Sequence, residues 1–159
     1  MKLKTLFFTL ILVGTACVFL AGGLQAGTDV AEVIQMQSPA YEHTKGIVEF
    51  SHKKHYTDYG ATCGECHHDD KGQPLADLKE GDAVQKCIEC HTKPGDVPTD
   101  VKKEWREKKL KRDEVKKLEL EYHAEALHAN CIDCHKEWNR ANKSKAAPTS
   151  CSKCHPKTD

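Results

Sequence analysis

The chain contains the stretch Cys63-Gly64-Glu65-Cys66-His67, and the same C-x-x-C-H pattern occurs three more times along the sequence. The other copies are Cys87-Ile88-Glu89-Cys90-His91, Cys131-Ile132-Asp133-Cys134-His135 and Cys151-Ser152-Lys153-Cys154-His155. In this spacing two thiols can bond the two vinyl groups of one c-type haem, and the histidine that follows can reach its iron. Four copies, which together use eight of the nine cysteines, predict four haem c groups.

Zinc sites and disulfide bonds are the two other uses of closely spaced cysteines. A zinc ion can take two C-x-x-C pairs, but it does not require a histidine after every pair. Disulfides form in the oxidising compartments that exported proteins reach, yet they leave the four histidines unexplained. The sequence therefore favours haem attachment over both alternatives.

Composition sets further limits on this chain of 159 residues, which is the length of one domain. The formal net charge is zero, with 24 basic and 24 acidic residues, so the chain has no overall bias toward nucleic acid or an anionic membrane. Only 38% of the residues are hydrophobic and 6% aromatic. Such a chain has few side chains for an ordinary core. We therefore expect the haems to form the core, and the chain without haem to lack a compact fold.

The N-terminus has the features of an export signal. A short basic start is followed by an apolar run from Leu6 to Leu20 and then by small residues, which predicts a signal peptide over residues 1–26. Cleavage after Ala26 is the first choice and cleavage after Gly23 the second. Either cut removes Cys17, the one cysteine outside the motifs. An uncleaved membrane anchor and a lipid on Cys17 are the alternatives.

The sixth ligand of each iron decides between electron transfer and catalysis. Met36 is the sole methionine besides Met1, so methionine is nearly excluded. Six histidines lie outside the motifs, namely His43, His52, His55, His68, His123 and His128. Four of them suffice to close every iron with a second imidazole, which leaves no open position for a substrate. Ligation by two histidines without methionine also indicates low reduction potentials.

Two further features point to a family. Phe50-Ser51-His52-Lys53-Lys54-His55 precedes the first motif, and that motif continues as Cys66-His67-His68. Together with the order of the motifs, from about Ile47 to His155, they resemble the class III cytochromes c. Members of that family are low-potential tetrahaem cytochromes of the bacterial periplasm. The resemblance implies a periplasmic protein, with the cell surface or the exterior as alternatives.

The resemblance also implies a ligand pair for each haem. The pairs, from the first haem to the fourth, are His52 with His67, His68 with His91, His55 with His135, and His128 with His155. Neighbours such as His67 and His68 cannot lie on opposite sides of one iron, so they must serve two haems. His123 is the alternative to His128, and otherwise we expect His123 and His43 to be solvated surface residues.

The expected fold is mainly α with much irregular structure around the haems, and with a short N-terminal β-hairpin to which Ile47–Phe50 contributes. Residues 27–46 are predicted to be an extended arm and residues 47–159 the tetrahaem domain. The gap between His91 and Cys131 holds 39 residues, which is long for compact family members. Its charged part, at about 100–121, predicts a helical insertion of roughly 20 residues that Asp100 caps. This insertion is either a solvated helix or a docking surface.

The predicted function is electron transfer rather than catalysis. The resemblance implies redox partners such as a periplasmic hydrogenase, a formate dehydrogenase or a membrane redox complex in anaerobic respiration. We expect no nucleic acid, and a membrane contact only if the signal stays uncleaved. One alternative is a subunit of a haem-stacked conducting filament or redox complex formed by self-assembly. The other is a small multihaem reductase with one open haem, and His128 is then the ligand to question.

The C-terminal region is rich in basic residues, which we expect to attract an acidic partner. They are Lys136, Arg140, Lys143, Lys145, Lys153 and Lys157.

Overall fold

The structure is a computed structural model that describes residues 30–157. The predicted signal peptide lies outside the described residues. The elements are β1 (Ile34–Met36), β2 (Val48–Phe50), α1 (His52–Thr57), α2 (Cys63–Cys66), α3 (Cys87–Cys90), α4 (Thr99–Glu107), α5 (Arg112–Glu119), α6 (His123–Ala141) and α7 (Cys151–Cys154). Within residues 30–157, no helix combines the length and the apolar character that crossing a bilayer requires. The expected class, mainly helical with much irregular structure, is confirmed.

The two strands form the expected N-terminal β-hairpin. They are antiparallel, with Ile34 opposite Phe50 and Met36 opposite Val48. The predicted arm is therefore attached to the body through β1. Beyond β1, Ser38 is buried and Tyr41 lies against α6, so the arm packs along much of its described length.

Each C-x-x-C segment forms a helical turn. Three are separate single-turn helices, and the third motif lies inside the long helix α6. The histidine after each single turn donates its backbone N–H to the first cysteine's carbonyl oxygen, for example from His67 to Cys63 at 2.8 Å. Residues three apart share one side of a helix, so both thiols of a motif face the same way.

The charged insertion differs from its prediction. Two helices, α4 and α5, replace the expected single helix of roughly 20 residues. Lys109 breaks the helix in a left-handed conformation (φ 52°), and Leu110 then donates its N–H to the carbonyl oxygen of Trp105 at 3.1 Å. Helix α4 also begins at Thr99 after Pro98, so Asp100 lies in the first turn and is not the cap.

Because the insertion is broken into two short helices, residues of both helices can pack around one tryptophan. Trp105 packs with Val97 and Tyr122 in a small core, which partly buried residues of both helices surround. These surrounding residues are Val101, Leu110, Val115 and Leu118. Outside this cluster, Ala126 is the remaining buried hydrophobic residue among residues 30–157. The region around the four motifs therefore has no comparable core of side chains.

The insertion leaves and rejoins the body at one place. Lys93 and Tyr122 form a parallel bridge, in which Lys93 donates its N–H to Glu121 at 3.0 Å and accepts from His123 at 2.8 Å. The side chains of Lys93 and Glu121 add an ion pair of 2.5 Å. The two ends of the insertion therefore meet at this bridge.

Candidate functional site

Eight of the ten histidines lie in four pairs of facing rings, and each pair joins two distant parts of the chain. The ring centroids are 6.2 Å apart for His52 and His67, 6.0 Å for His68 and His91, 6.2 Å for His55 and His135, and 6.2 Å for His128 and His155. These are the same pairs that the resemblance implies. The structure brings them together as rings, and their role as iron ligands stays a prediction.

The separation within each pair fits a single metal ion. An imidazole nitrogen ligates a metal at about 2.0–2.1 Å, so two rings on opposite sides of one ion have centroids roughly 6 Å apart once the ring radius is added. The four observed separations match this value. One ring of each pair follows a C-x-x-C turn, so the thiols and the facing rings together suit one haem per pair.

Hydrogen bonds to the backbone orient most of these rings. Five of the eight place Nδ1 against a main-chain carbonyl oxygen, and in four of the five the distance is 2.7–2.8 Å. The five are His55 on Ser51, His68 on Asp69, His91 on Leu120, His135 on Pro148 and His155 on Gly46. A ring held through Nδ1 has its Nε2 free for a metal, which is how metal-binding histidines are usually fixed.

The three remaining rings, those of His52, His67 and His128, make no such bond within residues 30–157. Nδ1 of His52 is buried without a hydrogen-bond partner in the described part of the chain, and its ring lies 5.6 Å from the ring of Phe50. Packing rather than a hydrogen bond therefore holds this ring. Nδ1 of His128 instead faces a carboxylate, with 3.8 Å to Oδ1 of Asp96.

A glycine supports the fourth pair through a close backbone contact. The carbonyl of Gly46 accepts the bond from His155, and a Cβ at Gly46 would lie 2.8 Å from Cγ of Pro156 and closer still to its carbonyl oxygen. Such distances are too short for a real side chain. Residue 46 therefore has to be glycine if the chain around His155 is to stay in place.

All eight cysteines in the described part are free thiols, so the disulfide alternative has no support there. Burial raises the pKa of the Cys131 thiol to about 11, and the thiols of Cys66, Cys154 and Cys87 add to the shift. One thiol from each of the other three motifs therefore lies close enough to Cys131 to act on its charge.

The zinc alternative also lacks a site. Among residues 30–157, one group of at least three candidate ligand side chains has its atoms within 4.8 Å of one another, and it consists of Asp96, Glu125 and His128. It contains no cysteine. Paired C-x-x-C turns that share one zinc ion are therefore not formed in this part of the chain.

The position of His123 differs from the expectation that it is a solvated surface residue. It is buried, with 7% of its surface exposed, and its Nδ1 lies 3.0 Å from the hydroxyl oxygen of Tyr41. The prediction of a solvated surface residue is wrong for His123, because the N-terminal arm covers the start of α6. His43 is half-buried and sits on the other side of the tyrosine, with ring centroids 4.6 Å apart. No sequence pattern indicates Tyr41, since 82 positions separate it from His123.

A cavity of about 520 Å³ lies between α5 and α6 beside His128. Its apolar lining includes Val115, Leu120, Ala129 and Ile132. The other lining residues besides His128 are charged, so the cavity is partly apolar and partly charged; they are Arg112, Lys116, Glu119, Glu125, Asp133 and Lys136.

Comparison with protein families gives one match. The model of the class III cytochrome C family matches residues 28–155, which is most of the chain. No curated protein and no solved structure matches the chain.

Proposed function

The chain belongs to the class III cytochrome c family, and from this premise we propose that it is an exported, low-potential electron carrier with four haem c groups. Membership of the family makes it a multihaem electron-transfer protein. The proposal adds the number of haems, their bis-histidine ligation, the periplasmic location and the role of a shuttle in anaerobic respiration. That shuttle connects redox enzymes or membrane complexes.

The proposed roles follow the motifs. The thiols of each C-x-x-C turn anchor one haem, and they are Cys63, Cys66, Cys87, Cys90, Cys131, Cys134, Cys151 and Cys154. The histidine after each turn is the first axial ligand, namely His67, His91, His135 and His155. The facing rings are the second axial ligands, namely His52, His68, His55 and His128.

One observation carries the proposal, and it is the set of four ring pairs at 6.0–6.2 Å. When bound, haem supplies one-electron exchange between ferric and ferrous iron. Two facing imidazoles leave no axial position for a substrate, so these residues support electron transfer and not catalysis. The absence of a methionine ligand supports low potentials.

The backbone ties neighbouring sites to one another. His67 and His68 are adjacent but belong to two pairs, and His52 and His55 lie one turn apart in α1 and also belong to two pairs. A displacement of one site would therefore pull on the next. Such a linked arrangement keeps the spacing between sites constant, which suits rapid electron exchange.

The basic C-terminal residues support an acidic redox partner. All six are exposed, and they are Lys136, Arg140, Lys143, Lys145, Lys153 and Lys157. A basic patch of this kind steers association with an acidic surface. By family membership we propose a hydrogenase, a formate dehydrogenase or a membrane redox complex as that partner.

The first test is the ligation of the purified holoprotein. We expect four haems by mass and haem assay, low-spin spectra in both oxidation states, and no spectral change with carbon monoxide. His128→Ala should open one iron in four to carbon monoxide, while the matched change His43→Ala should open none. Carbon monoxide binding by the unaltered protein would favour the reductase alternative, and fewer than four haems would contradict the proposal.

The second test separates the shuttle from the conducting filament. Light scattering on the exported holoprotein should give the mass of one chain with its haems. Long assemblies that persist on dilution would instead favour the filament or a fixed subunit.

A further inference from the structure

Asp96 occupies a position that no other described carboxylate shares. Its Oδ1 lies 3.8 Å from Nδ1 of His128, which is the proposed second ligand of the fourth haem. Five of the other paired rings direct Nδ1 to a main-chain carbonyl instead. The fourth pair therefore has a charged partner where most rings have a neutral one.

The main chain fixes Asp96 relative to His128. The preceding residue, Gly95, adopts a left-handed turn (φ 68°), and its carbonyl oxygen accepts the N–H of Ala124 at 3.1 Å. Two residues earlier, Lys93 accepts the N–H of His123 at 2.8 Å. Both bonds attach the segment around Asp96 to the first turn of α6, the helix that carries His128. The backbone therefore places Asp96 beside the start of α6, one turn before His128.

Glu125 lies in the same cluster but has other partners. Its Oε1 accepts from Nζ of Lys102 at 3.0 Å and from the N–H of Val97 at 3.4 Å. Asp96 has no lysine or arginine within ion-pair distance among residues 30–157. Both carboxylates lie within 4.8 Å of a ring nitrogen of His128, and Asp96 is the one whose charge no lysine or arginine offsets within residues 30–157.

We propose that Asp96 is a positioning residue that orients His128 and lowers the reduction potential of the fourth haem relative to the other three. A carboxylate that faces the Nδ1–H of a ligand imidazole makes that ligand more basic, and its negative charge favours the ferric state. A carbonyl oxygen has the same effect more weakly, because it carries no net charge. This inference rests on the proposed function, since it requires His128 on iron.

The test replaces Asp96 in the holoprotein and follows each haem separately. In Asp96→Asn we expect the ferrous-to-ferric ratio of the fourth haem to rise about threefold at a fixed potential, an upward shift of about 28 mV for one electron, because both side chains are about half exposed to solvent. The other three haems should shift less. Redox titration followed by paramagnetic NMR, with haem methyl signals assigned to each site, measures this. The g-values of the fourth haem should also change as its ring loses a fixed orientation.

Two further variants keep the inference falsifiable. Glu125→Gln removes a carboxylate from the same cluster and should shift the fourth haem much less, while Asp96→Glu should restore much of the low potential. An unchanged fourth haem in Asp96→Asn, equal shifts of all four haems, or an equal effect of Glu125→Gln would each overturn the inference. If the unaltered protein instead bound carbon monoxide or lacked a haem, the ligation scheme itself would fail.

Discussion

At the residue scale, the angle between paired rings separates one site from the other three. The planes of His55 and His135 are 23° apart, whereas the other three pairs are crossed at 74–77°. The orientation of axial imidazoles governs the splitting of the iron d orbitals, because parallel rings act on the same orbital and crossed rings act on different ones.

We therefore expect two classes of low-spin signal in the electron paramagnetic resonance spectrum of the oxidised protein. One site should have a rhombic signal, and three should have the more anisotropic signal of crossed ligands. His55→Ala should remove the rhombic signal alone, and His43→Ala should change neither class. Four equivalent signals would contradict the geometry.

Gly46 provides a steric prediction. In Gly46→Ala the new methyl group meets Pro156, so the chain around His155 must move, at a cost of about 1–3 kcal/mol for overpacking. We expect poorer loading of the fourth haem and carbon monoxide binding at that iron, both visible by mass and absorption. Gly60→Ala is the comparison for general destabilisation: its positive φ (71°) strains an alanine, but nothing lies within 4 Å of the added Cβ, so loading of the fourth haem should not change.

The burial of His123 predicts that the stability of the folded protein depends on pH. Burial lowers its pKa, and the nearby His91 and His43 add to the effect. The neutral ring is therefore favoured in the folded state, and its contribution to stability is present above the unfolded pKa of about 6.5 and lost as the pH falls through the lower folded value. The loss is at most about 1.4 kcal/mol per pH unit. Between pH 7 and pH 5, the urea midpoint of the His123→Gln holoprotein should fall less than that of the unaltered holoprotein. Equal falls in the two proteins would refute this.

At the element scale, the family resemblance predicted which distant rings pair, whereas local sequence patterns missed two features that depend on tertiary packing. Local spacing alone could not have implied these pairs, since His55 and His135 are 80 positions apart. The break at Lys109 depends on Trp105 being buried by two helices at once, which no helical periodicity records. The burial of His123 depends on an arm 82 positions away. Tertiary packing thus overrode local propensity at both places.

The insertion has its own small core, and its last residues contact the surroundings of two proposed ligands, His91 and His128. Trp105→Ala removes the centre of its core and should destabilise α4 and α5 by about 3–5 kcal/mol. Because the carbonyl oxygen of Leu120 accepts from Nδ1 of His91 and α5 lines the cavity beside His128, the signals of the second and fourth haems should change as helical circular dichroism falls, and unchanged signals would contradict this. Trp138, which is 43% exposed, is the control, and Trp138→Ala should cost within about 0.5 kcal/mol. Altered haem signals in Trp105→Ala would show that the insertion and the haem sites are coupled.

At the scale of the whole molecule, charge is distributed unevenly although the sequence sums to zero. Reversing Lys153 and Lys157 to glutamate should slow electron exchange with an acidic partner at low salt, and the difference should shrink as salt screens the charges. Stopped-flow exchange at two ionic strengths measures this.

Reversing two exposed basic residues of the insertion, Lys109 and Arg112, is the matched comparison. If that pair slows exchange and the C-terminal pair does not, the insertion is the docking surface and the C-terminal patch is not.

The ring pairs also have a consequence for how the protein is made. In every pair the facing ring precedes its C-x-x-C-H partner along the chain, so that His52 comes before His67, His68 before His91, His55 before His135 and His128 before His155. A chain delivered N-terminus first therefore presents the facing ring before the attachment motif arrives. Under the proposed ligation, each haem could complete its ligand set as soon as it is attached, so maturation could proceed site by site without waiting for the C-terminus.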